Sequence, residues 1–281
     1  MLTAPSLFDY QAFAHAALFS ADQPVWTALQ RLRAYMDSYP YPAPLPAEVT
    51  GGIPVAQPLV WHDGRILPAA SLDIEWGDVN QGKLRVSLQG KVLEGAALIM
   101  AGAILIGERI ALGPGSLVEG GATIKAPAII GACTEVRQGA YLRGYCLVGE
   151  RCVVGHATEV KHSIFLDDAK AGHFAYLGDS ILGNDTNLGA GTKFANLKFA
   201  AETVKIAVDG ELVDTTLRKL GAILGDRAQT GCNSVTNPGT IIGRRGILMP
   251  NTTAPSGYHE DDKLIRTGLR PRTLPRPQPT E

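Results

Sequence analysis

The chain has 281 residues, of which 45% are hydrophobic, and its formal net charge is −1 at pH 7. This length allows one large domain or two small ones with a sizeable core. The balanced charge argues against non-specific binding to nucleic acid, which needs a basic face. The sequence has no run of about 18 apolar residues and no signal-peptide pattern at its N-terminus, so we expect a soluble cytoplasmic protein without a membrane partner.

Residues 6–37, in the N-terminal part of the chain, are predicted to be helical. Four apolar residues recur there at helical spacing: Val25, Leu29, Leu32 and Met36. Asp22 is a candidate N-cap and Pro24 falls in the first turn. The predicted fold therefore begins with a helical segment.

Residues 38–58 contain six prolines and are predicted to form a linker. In the stretch "LVWHDGRILP" that follows, Asp63-Gly64 lies between two apolar runs, which predicts a β-hairpin. We expect residues 1–91 as a whole to cap the domain that follows, because an uncovered end of a repeat domain exposes apolar interior and unpaired strand edges.

A six-residue period governs residues 92–255. Stepping by six from Ile106 to Leu166 meets only Leu, Ile or Val, and glycine often follows, as at Gly113 and Gly131. The residue four positions after each large one is mostly small: Ser116, Ala122, Ala128, Thr134, Ala140, Cys146, Cys152 and Thr158. An amphipathic helix would need apolar spacings of three and four, so this period excludes it.

The pattern predicts an all-β fold, a parallel β-helix built from hexapeptide repeats. Each unit is a short strand and a corner, in which the large residue points into a narrow interior and the small one turns inward where space is short. Glycine permits corner dihedrals that other residues avoid. Three units close one coil, so about 18 residues advance the chain by one strand spacing of about 4.8 Å.

The four cysteines are predicted to be reduced, small and buried. They are Cys133, Cys146, Cys152 and Cys232. None belongs to a C-x-x-C pair, so neither a structural zinc site nor any other metal is expected. Cys232, in "TGCNS", is either such a buried corner residue or part of the lining of a ligand channel.

The six-residue period is interrupted at "KAGHFAYLGDS", residues 170–180. Gly172 and Gly178 occupy positions where the ladder needs Leu or Val. This predicts a loop that leaves the wall and carries His173 and Tyr176. A break that presents a histidine and a tyrosine is a candidate functional site.

Beyond the break the ladder restarts at Leu182, is interrupted by residues 194–221 and resumes at Leu224. Within the interruption, "VKIAVDGELV" predicts a projecting hairpin around Asp209-Gly210. Residues 256–281 are predicted to form a C-terminal tail, and residues 266–281 within it are rich in proline and basic residues, which is typical of a loose segment.

The hexapeptide rhythm resembles that of the left-handed parallel β-helix acyltransferases, whose members are typically homotrimers. The motifs "GHFAYLGD", "GAGTKFAN" and "LRKLGAILGDRAQTGCNSVTNPGTIIG" within residues 92–255 make the resemblance more specific. They resemble the acetyltransferase domain of the bacterial bifunctional N-acetylglucosamine-1-phosphate uridyltransferase/glucosamine-1-phosphate acetyltransferase. They are still closer to the archaeal-type sugar-1-phosphate nucleotidyltransferase/acetyltransferases. The left hand and the trimer are implied by this resemblance alone.

The resemblance implies a role for each matching residue. His173 matches the general base, and Asn196 matches the residue near the acetyl thioester. The residues that match contacts to the sugar and its phosphate are Arg143, Lys161, Tyr176 and Asn187. Ala190 matches the point where the backbone approaches the acetyl group. A family lysine is displaced here, and either Lys198 or Lys205 takes its place.

The implied cosubstrate is acetyl-CoA, and the implied substrate is an aminosugar 1-phosphate of the glucosamine or galactosamine type. We expect the later coils to bind the coenzyme. Arg227, Arg244 and Arg245 are either contacts to its phosphates or solvated corner residues. Residues 1–91 are too short for a nucleotide-binding domain with a Gly-rich loop, so uridyl transfer is not expected from this chain.

The chemistry of these residue types agrees with acetylation of an amine. A primary amine is mostly ammonium at neutral pH, and free imidazole, which titrates near pH 6.5, suits its deprotonation. The oxyanion that forms at the thioester carbonyl needs a positioned donor, which the Asn196 amide or a backbone N–H supplies. Arg143 offers a planar fork to a phosphate, and Lys161 a point charge.

Two other functions remain open from the sequence. The displaced lysine is compatible with a non-catalytic sugar-phosphate-binding or regulatory β-helix protein. A metalloenzyme of the gamma-type carbonic anhydrase class would use histidines such as His156, His162 and His173, although their pattern differs from that of the zinc ligands in that class.

Overall fold

Three parallel sheets form the walls of a triangular prism, as the six-residue period predicts. The structure is a computed structural model that describes residues 1–42, 44–208 and 210–268. The chain winds as a left-handed parallel β-helix that visits sheets A, B and C in turn on each coil. We name the edges of the prism the AB, BC and CA corners after the sheets they join.

The bounds of the strands follow the order of the coils. Sheet A contains Ala97–Ile99, Leu117–Val118, Glu135–Val136, Val153–His156, Lys170–His173, Asn187–Leu188, Gln229–Thr230, Ile247–Leu248 and Leu264–Ile265. Sheet B contains Ile104–Ile106, Thr123–Lys125, Tyr141–Leu142, Glu159–Lys161, Tyr176–Gly178, Lys193–Phe194, Val235–Thr236 and Thr253–Ala254. Sheet C contains Ile110–Leu112, Ala128–Ile130, Cys146–Val148, Ser163–Phe165, Ile181–Leu182, Ala222–Leu224, Thr240–Ile242 and Gly257–His259.

The large residues of the repeat fill the interior of the prism. The two exceptions are the first and last members of the predicted series, Ile106 and Leu166. Leu105 points inward where Ile106 was predicted, and Phe165 does so where Leu166 was predicted. Leu166 is buried outside the prism instead, against the N-terminal segment. The small residues predicted to turn inward are all buried. Burial of each large residue stabilises the fold by about 1.5–3 kcal/mol relative to its exposure.

The rhythm changes because the BC corner loses one residue, not because a loop leaves the wall. Inward residues are five positions apart from Val160 to Phe165, and Val148 pairs with Phe165 one coil later, a repeat of 17 residues. The predicted loop is therefore wrong: Lys170–His173 and Tyr176–Gly178 are strands of sheets A and B. Gly172 and Gly178 fall out of the six-residue pattern because the inward positions moved by one.

Gly113 and Gly131, which follow large residues, permit close stacking of coils and do not adopt left-handed dihedrals, whereas Gly107 does, at φ 92°. A Cβ on Gly131 would lie 2.3 Å from the carbonyl oxygen of Gly149 on the next coil. Most left-handed corner positions are instead taken by other residues, such as Tyr145 at φ 52° and Asp179 at φ 50°. Our prediction that glycine serves the corner dihedrals is therefore wrong at Gly113 and Gly131.

The first 41 residues lie along the outer surface of sheet C and do not cap the prism. Helix α1 spans Ala4–Leu7 and helix α2 spans Thr27–Ser38. Leu29 and Leu32 of α2 are buried in a cluster shared with the outward residues of sheet C. The prediction that residues 6–37 are helical is wrong for residues 8–26, which contain one short 3-10 helix, Ala16–Leu18. Helix α2 begins at Thr27 and not after Asp22, whose carboxylate accepts a hydrogen bond from Ser20.

The open end of the prism is covered by the segment predicted as a linker and by the predicted hairpin. Helix α3, Ala47–Thr50, lies within this segment, and the Val55 N–H donates to the Ala103 carbonyl at 2.9 Å. The hairpin of Leu59–His62 and Arg65–Pro68 is confirmed and adds antiparallel to the first strand of sheet A. A separate sheet packs outside sheet A: Asp73–Glu75, Arg85–Leu88 and Lys91–Val92.

The insertion and the C-terminal part differ in extent from the predictions. Phe194 is buried inside the prism, so the insertion begins after it and contains the predicted strands Lys205–Val208 and Glu211–Asp214. The predicted turn residue Asp209 lies outside the described residues. The β-helix continues past the predicted end to Ile265, and the rest of the predicted tail from residue 269 lies outside the described residues. In the described ranges no helix is long and apolar enough to cross a bilayer.

Candidate active site

Successive coils bring His173, Ala190 and Cys232 together along the AB corner. His173 ends a strand of sheet A and is exposed. The Gly191 N–H donates to the His173 carbonyl at 3.0 Å, and the Asn233 N–H donates to the Ala190 carbonyl at 2.8 Å. These bonds fix the three residues in one column. Cys232 is exposed, which contradicts the prediction that it is buried.

The His173 imidazole has no hydrogen-bond partner among the described residues, whereas its neighbour His156 has one. His156 lies one coil earlier in register with His173. Its Nδ1 is 2.9 Å from the Gln138 carbonyl oxygen, and its ring meets the Phe174 ring edge-on at 5.3 Å. His156 thus has a local structural role, and the His173 ring is free to meet a ligand.

The outer surface of sheet B carries Arg143 and Tyr176. Arg143 Nη1 donates to Glu159 Oε1 at 2.7 Å, with both side chains more than a third exposed. Tyr176 stands next to Glu159 in the ladder, and burial raises the pKa of its hydroxyl. The Asn196 amide lies beside that hydroxyl over Gly178, where a Cβ would come within 2.5 Å of Asn196 Nδ2 and 2.7 Å of Tyr176 Oη.

Asp179 organises the BC corner. Its buried carboxylate accepts hydrogen bonds from Lys161 Nζ at 3.0 Å and from Asn196 Nδ2 at 2.6 Å, and its Oδ1 is 3.1 Å from His162 Nδ1. Burial by itself would raise the pKa of Asp179, but the bonds from His162, Lys161 and Asn196 outweigh it, and the pKa lies below its usual range. One carboxylate thus holds a lysine, a histidine and an amide in place.

A pocket of about 470 Å³ opens between this corner and helix α2. Its lining combines apolar side chains, Leu29 and Leu217, with a group of charged ones. The residues on it that carry charge or can acquire one include Arg33, Arg143, Lys161, His162 and Asp179. Both residues that match the phosphate contacts, Arg143 and Lys161, therefore face one cavity.

Other predicted site residues lie on different walls of the chain. Asn187 is exposed on sheet A, between Lys170 and Gln229. Arg244 and Arg245 lie at the CA corner, where the first pairs with Asp9 at 3.0 Å and the second with Asp262 at 2.7 Å. Within one chain the structure does not bring these three residues to the pocket.

The two candidates for the displaced lysine also lie apart from the pocket. Lys198 pairs with Glu202 on the insertion at 2.6 Å, and Lys205 is exposed on the hairpin. The histidines do not form a metal centre, because His162 is at the BC corner while His156 and His173 are at the AB corner. No group of three metal-ligating side chains is found within residues 1–42, 44–208 and 210–268.

Sequence reasoning assigned no role to Glu159, His162 or Asp179 in this arrangement. Asp179 ends the "GHFAYLGD" motif, but an acidic residue after a strand has no distinctive pattern of its own. The signal that could have found it is the repeated five-residue spacing, from Val160 to Phe165 and from Leu177 to Leu182, which places His162 and Asp179 on one shortened corner.

Comparison with known proteins confirms the resemblance inferred from the motifs. A family model described as the GMPPB C-terminal domain matches residues 124–217. The bifunctional sugar-1-phosphate nucleotidylyltransferase/acetyltransferase of Sulfurisphaera tokodaii is 36% identical over 167 residues, which are 52% of this chain and 42% of that protein. A protein named bifunctional protein GlmU from Methanococcus vannielii is 36% identical over 134 residues, which are 45% of this chain and 32% of that protein. A protein of the same name from Cyanothece sp. is 32% identical over 197 residues, which are 64% of this chain and 39% of that protein. The chain spans less than half the length of these relatives.

Proposed function

We propose that this chain is an acyltransferase that uses acetyl-CoA to acetylate the amine of an aminosugar 1-phosphate, of either the glucosamine or the galactosamine type. The observation that carries the proposal is the joint presence of Arg143 and Lys161 on one pocket, in a chain similar to sugar-1-phosphate acetyltransferases. A guanidinium fork and an ammonium are the two side-chain groups that bind phosphates most often.

His173 is proposed as the general base. It lies at the AB corner, three residues before Tyr176, the first residue of the next strand in sheet B. In an aminosugar 1-phosphate the amine is on the carbon next to the one that bears the phosphate, so the base has to lie close to Arg143 and Lys161. A homotrimer can bring the unpartnered imidazole of a neighbouring chain there. The base takes a proton from the ammonium, and the free amine attacks the thioester carbonyl to give a tetrahedral oxyanion. Collapse of this intermediate breaks the C–S bond and expels the coenzyme A thiolate, which takes up a proton as the nitrogen loses one, so the products are the acetylated amine and free thiol.

The oxyanion has two candidate donors in this proposal. One N–H of the Asn196 amide is engaged by Asp179, and the other lies toward Tyr176, so its use requires a small rotation. The backbone N–H of Ala190 has no hydrogen-bond partner among the described residues and lies one coil from His173. A donor already in position costs no reorganisation when charge develops.

The coenzyme is proposed to run along the AB corner past Ala190 and Cys232, which continue the column of His173. The side chains of Arg244 and Arg245 are engaged at another corner and do not carry this proposal. Asn187 faces out from sheet A, on the other side of the AB corner from Tyr176. Its proposed contact with the sugar is most readily met across an interface, which agrees with a homotrimer of the 29.8 kDa chain.

The proposal is tested with purified chain, acetyl-CoA and glucosamine 1-phosphate, with release of free thiol as the readout. Galactosamine 1-phosphate and unphosphorylated glucosamine are run alongside, and light scattering gives the oligomeric state. We expect thiol release with one of the sugar phosphates and a trimer mass. Binding of the sugar phosphates in calorimetry without thiol release would contradict the proposal and favour a non-catalytic binding protein.

Gly178→Ala tests the arrangement of Asn196 and Tyr176. The new Cβ would push two flexible side-chain ends and leave the backbone unstrained, so we expect thermal unfolding close to that of the wild type. Displacement of the amide and the hydroxyl should lower kcat/KM for acetyl transfer by about 10-fold to 100-fold. The matched control is Gly172→Ala, where a Cβ meets nothing within 4 Å. Equal activity of the two variants would mean that neither side chain takes part.

A further inference from the structure

We propose that Arg33 of helix α2 binds the phosphate of the substrate and so determines specificity for a phosphorylated sugar. This inference rests on the function proposed above, since it assigns a further residue to the same pocket. Arg33 lines the cavity together with Arg143 and Lys161. It lies outside residues 124–217, the part of the chain that the family model matches.

Helix α2 is fixed firmly enough to carry a binding residue. Leu29 and Leu32 are buried against sheet C. On the pocket side, Gln30 Nε2 donates to Thr216 Oγ1 at 3.0 Å, which ties the helix to the insertion. The helix and the insertion therefore form one wall of the pocket, and the β-helix forms the other.

Among the cationic side chains on this pocket, Arg33 differs in having no carboxylate ion-pair partner among the described residues. Arg143 is paired with Glu159, and Lys161 with Asp179. Arg33 forms no ion pair with the described residues, so its charge is the one left without a neutralising carboxylate in contact on this pocket. An anionic ligand would supply that partner.

The position of Arg33 is set by an aromatic ring. Its guanidinium carbon lies 4.1 Å from the centroid of the Tyr145 ring, a cation–π contact that holds the plane of the group over the corner. The Tyr145 hydroxyl donates to Asp37 Oδ1 at 3.1 Å, and Arg109 occupies the same oxygen at 2.6 Å. Asp37, the nearest acidic residue on α2, is thus already engaged, and the N–H groups of Arg33 remain available to a phosphate.

The test compares Arg33→Gln and Arg33→Lys with the wild-type chain in steady-state acetyl transfer. For glucosamine 1-phosphate we expect Arg33→Gln to raise KM at least about tenfold with kcat within about twofold, because uniform binding is lost, and Arg33→Lys to raise it less. With unphosphorylated glucosamine the variants should match the wild type. Arg31→Gln, on the same helix but not on the pocket, is the control.

Calorimetry with glucosamine 1-phosphate in the absence of acetyl-CoA separates this inference from the proposed function. Weaker binding by Arg33→Gln, in a chain that transfers no acetyl group, would support the inference while the proposed function fails. Acetyl transfer with an unchanged KM in Arg33→Gln would overturn the inference and leave the proposed function intact. If Arg33→Gln raised KM equally for unphosphorylated glucosamine, the inference would also be overturned, because Arg33 would then not bind the phosphate.

Discussion

Replacement of His173 with alanine is expected to lower kcat for acetyl transfer at least about 100-fold. The imidazole is the proposed base that removes the proton from the ammonium, and general-base catalysis contributes a factor of about 100 or more. The measurement is thiol release from acetyl-CoA at saturating sugar phosphate. Because the side chain is exposed and unpartnered, the variant should unfold at the same temperature as the wild type.

The matched control is His156→Ala. This histidine lies in the same column one coil earlier, but its ring is bonded to the Gln138 carbonyl. We expect this variant to keep the activity of the wild type within a few-fold. Full turnover by His173→Ala, or an equal loss in both variants, would remove the assignment of His173 as the base.

Replacement of Asp179 with asparagine is expected to lower the free energy of unfolding by about 3 kcal/mol, because it leaves a lysine without its buried carboxylate. The variant keeps the shape of the side chain but turns an amide N–H₂ toward Lys161 and Asn196, which donate to this position in the wild type. Urea unfolding of both proteins at pH 7 gives the difference. We also expect kcat to fall, since Asn196 loses its anchor.

The same residue predicts a pH dependence. The pKa of Asp179 is lower in the folded chain than the value of about 3.9 that an unfolded chain has. Its charge therefore stabilises the fold fully above about pH 4, and this contribution is lost as the pH falls through the folded pKa. The gap in stability between the wild type and Asp179→Asn should narrow as the pH falls below about 4.

Asp185→Asn is the matched control for these measurements. Asp185 is also a corner residue in the left-handed region, at φ 53°, but it is exposed and forms no ion pair with the described residues. Its replacement should change the free energy of unfolding by less than about 0.5 kcal/mol. A similar loss in both variants would show that the corner conformation, and not the carboxylate network, accounts for the effect.

The fold was predictable from the sequence because every repeat unit has to meet the same packing requirement. Each coil needs a large inward residue and a small one, so single exceptions do not hide the period. The extent of the β-helix was less predictable. Gly257–His259 and Leu264–Ile265 continue the sheets without a full hexapeptide signature, because end coils need only backbone pairing and one packed face.

The location of the N-terminal segment and the organisation of the site were predictable only in part. Helical spacing identified the buried face of α2, but no local pattern states which wall receives it. The motif identified His173, and the pocket that joins Arg33 to Lys161 depends on contacts between residues more than 100 positions apart. The role of Asp179 likewise depends on a corner that is shortened by one residue. In the sequence this shortening shows only as an interruption of the six-residue period.

The most direct test of the central claim is a crystal structure of the full chain soaked with coenzyme A and glucosamine 1-phosphate. We predict that the phosphate lies within hydrogen-bond distance of Arg143 and Lys161. The sugar nitrogen should be about 3 Å from a His173 imidazole, contributed by the same chain or a neighbouring one. A sugar bound away from both cations, with that imidazole sealed inside an interface, would contradict the account.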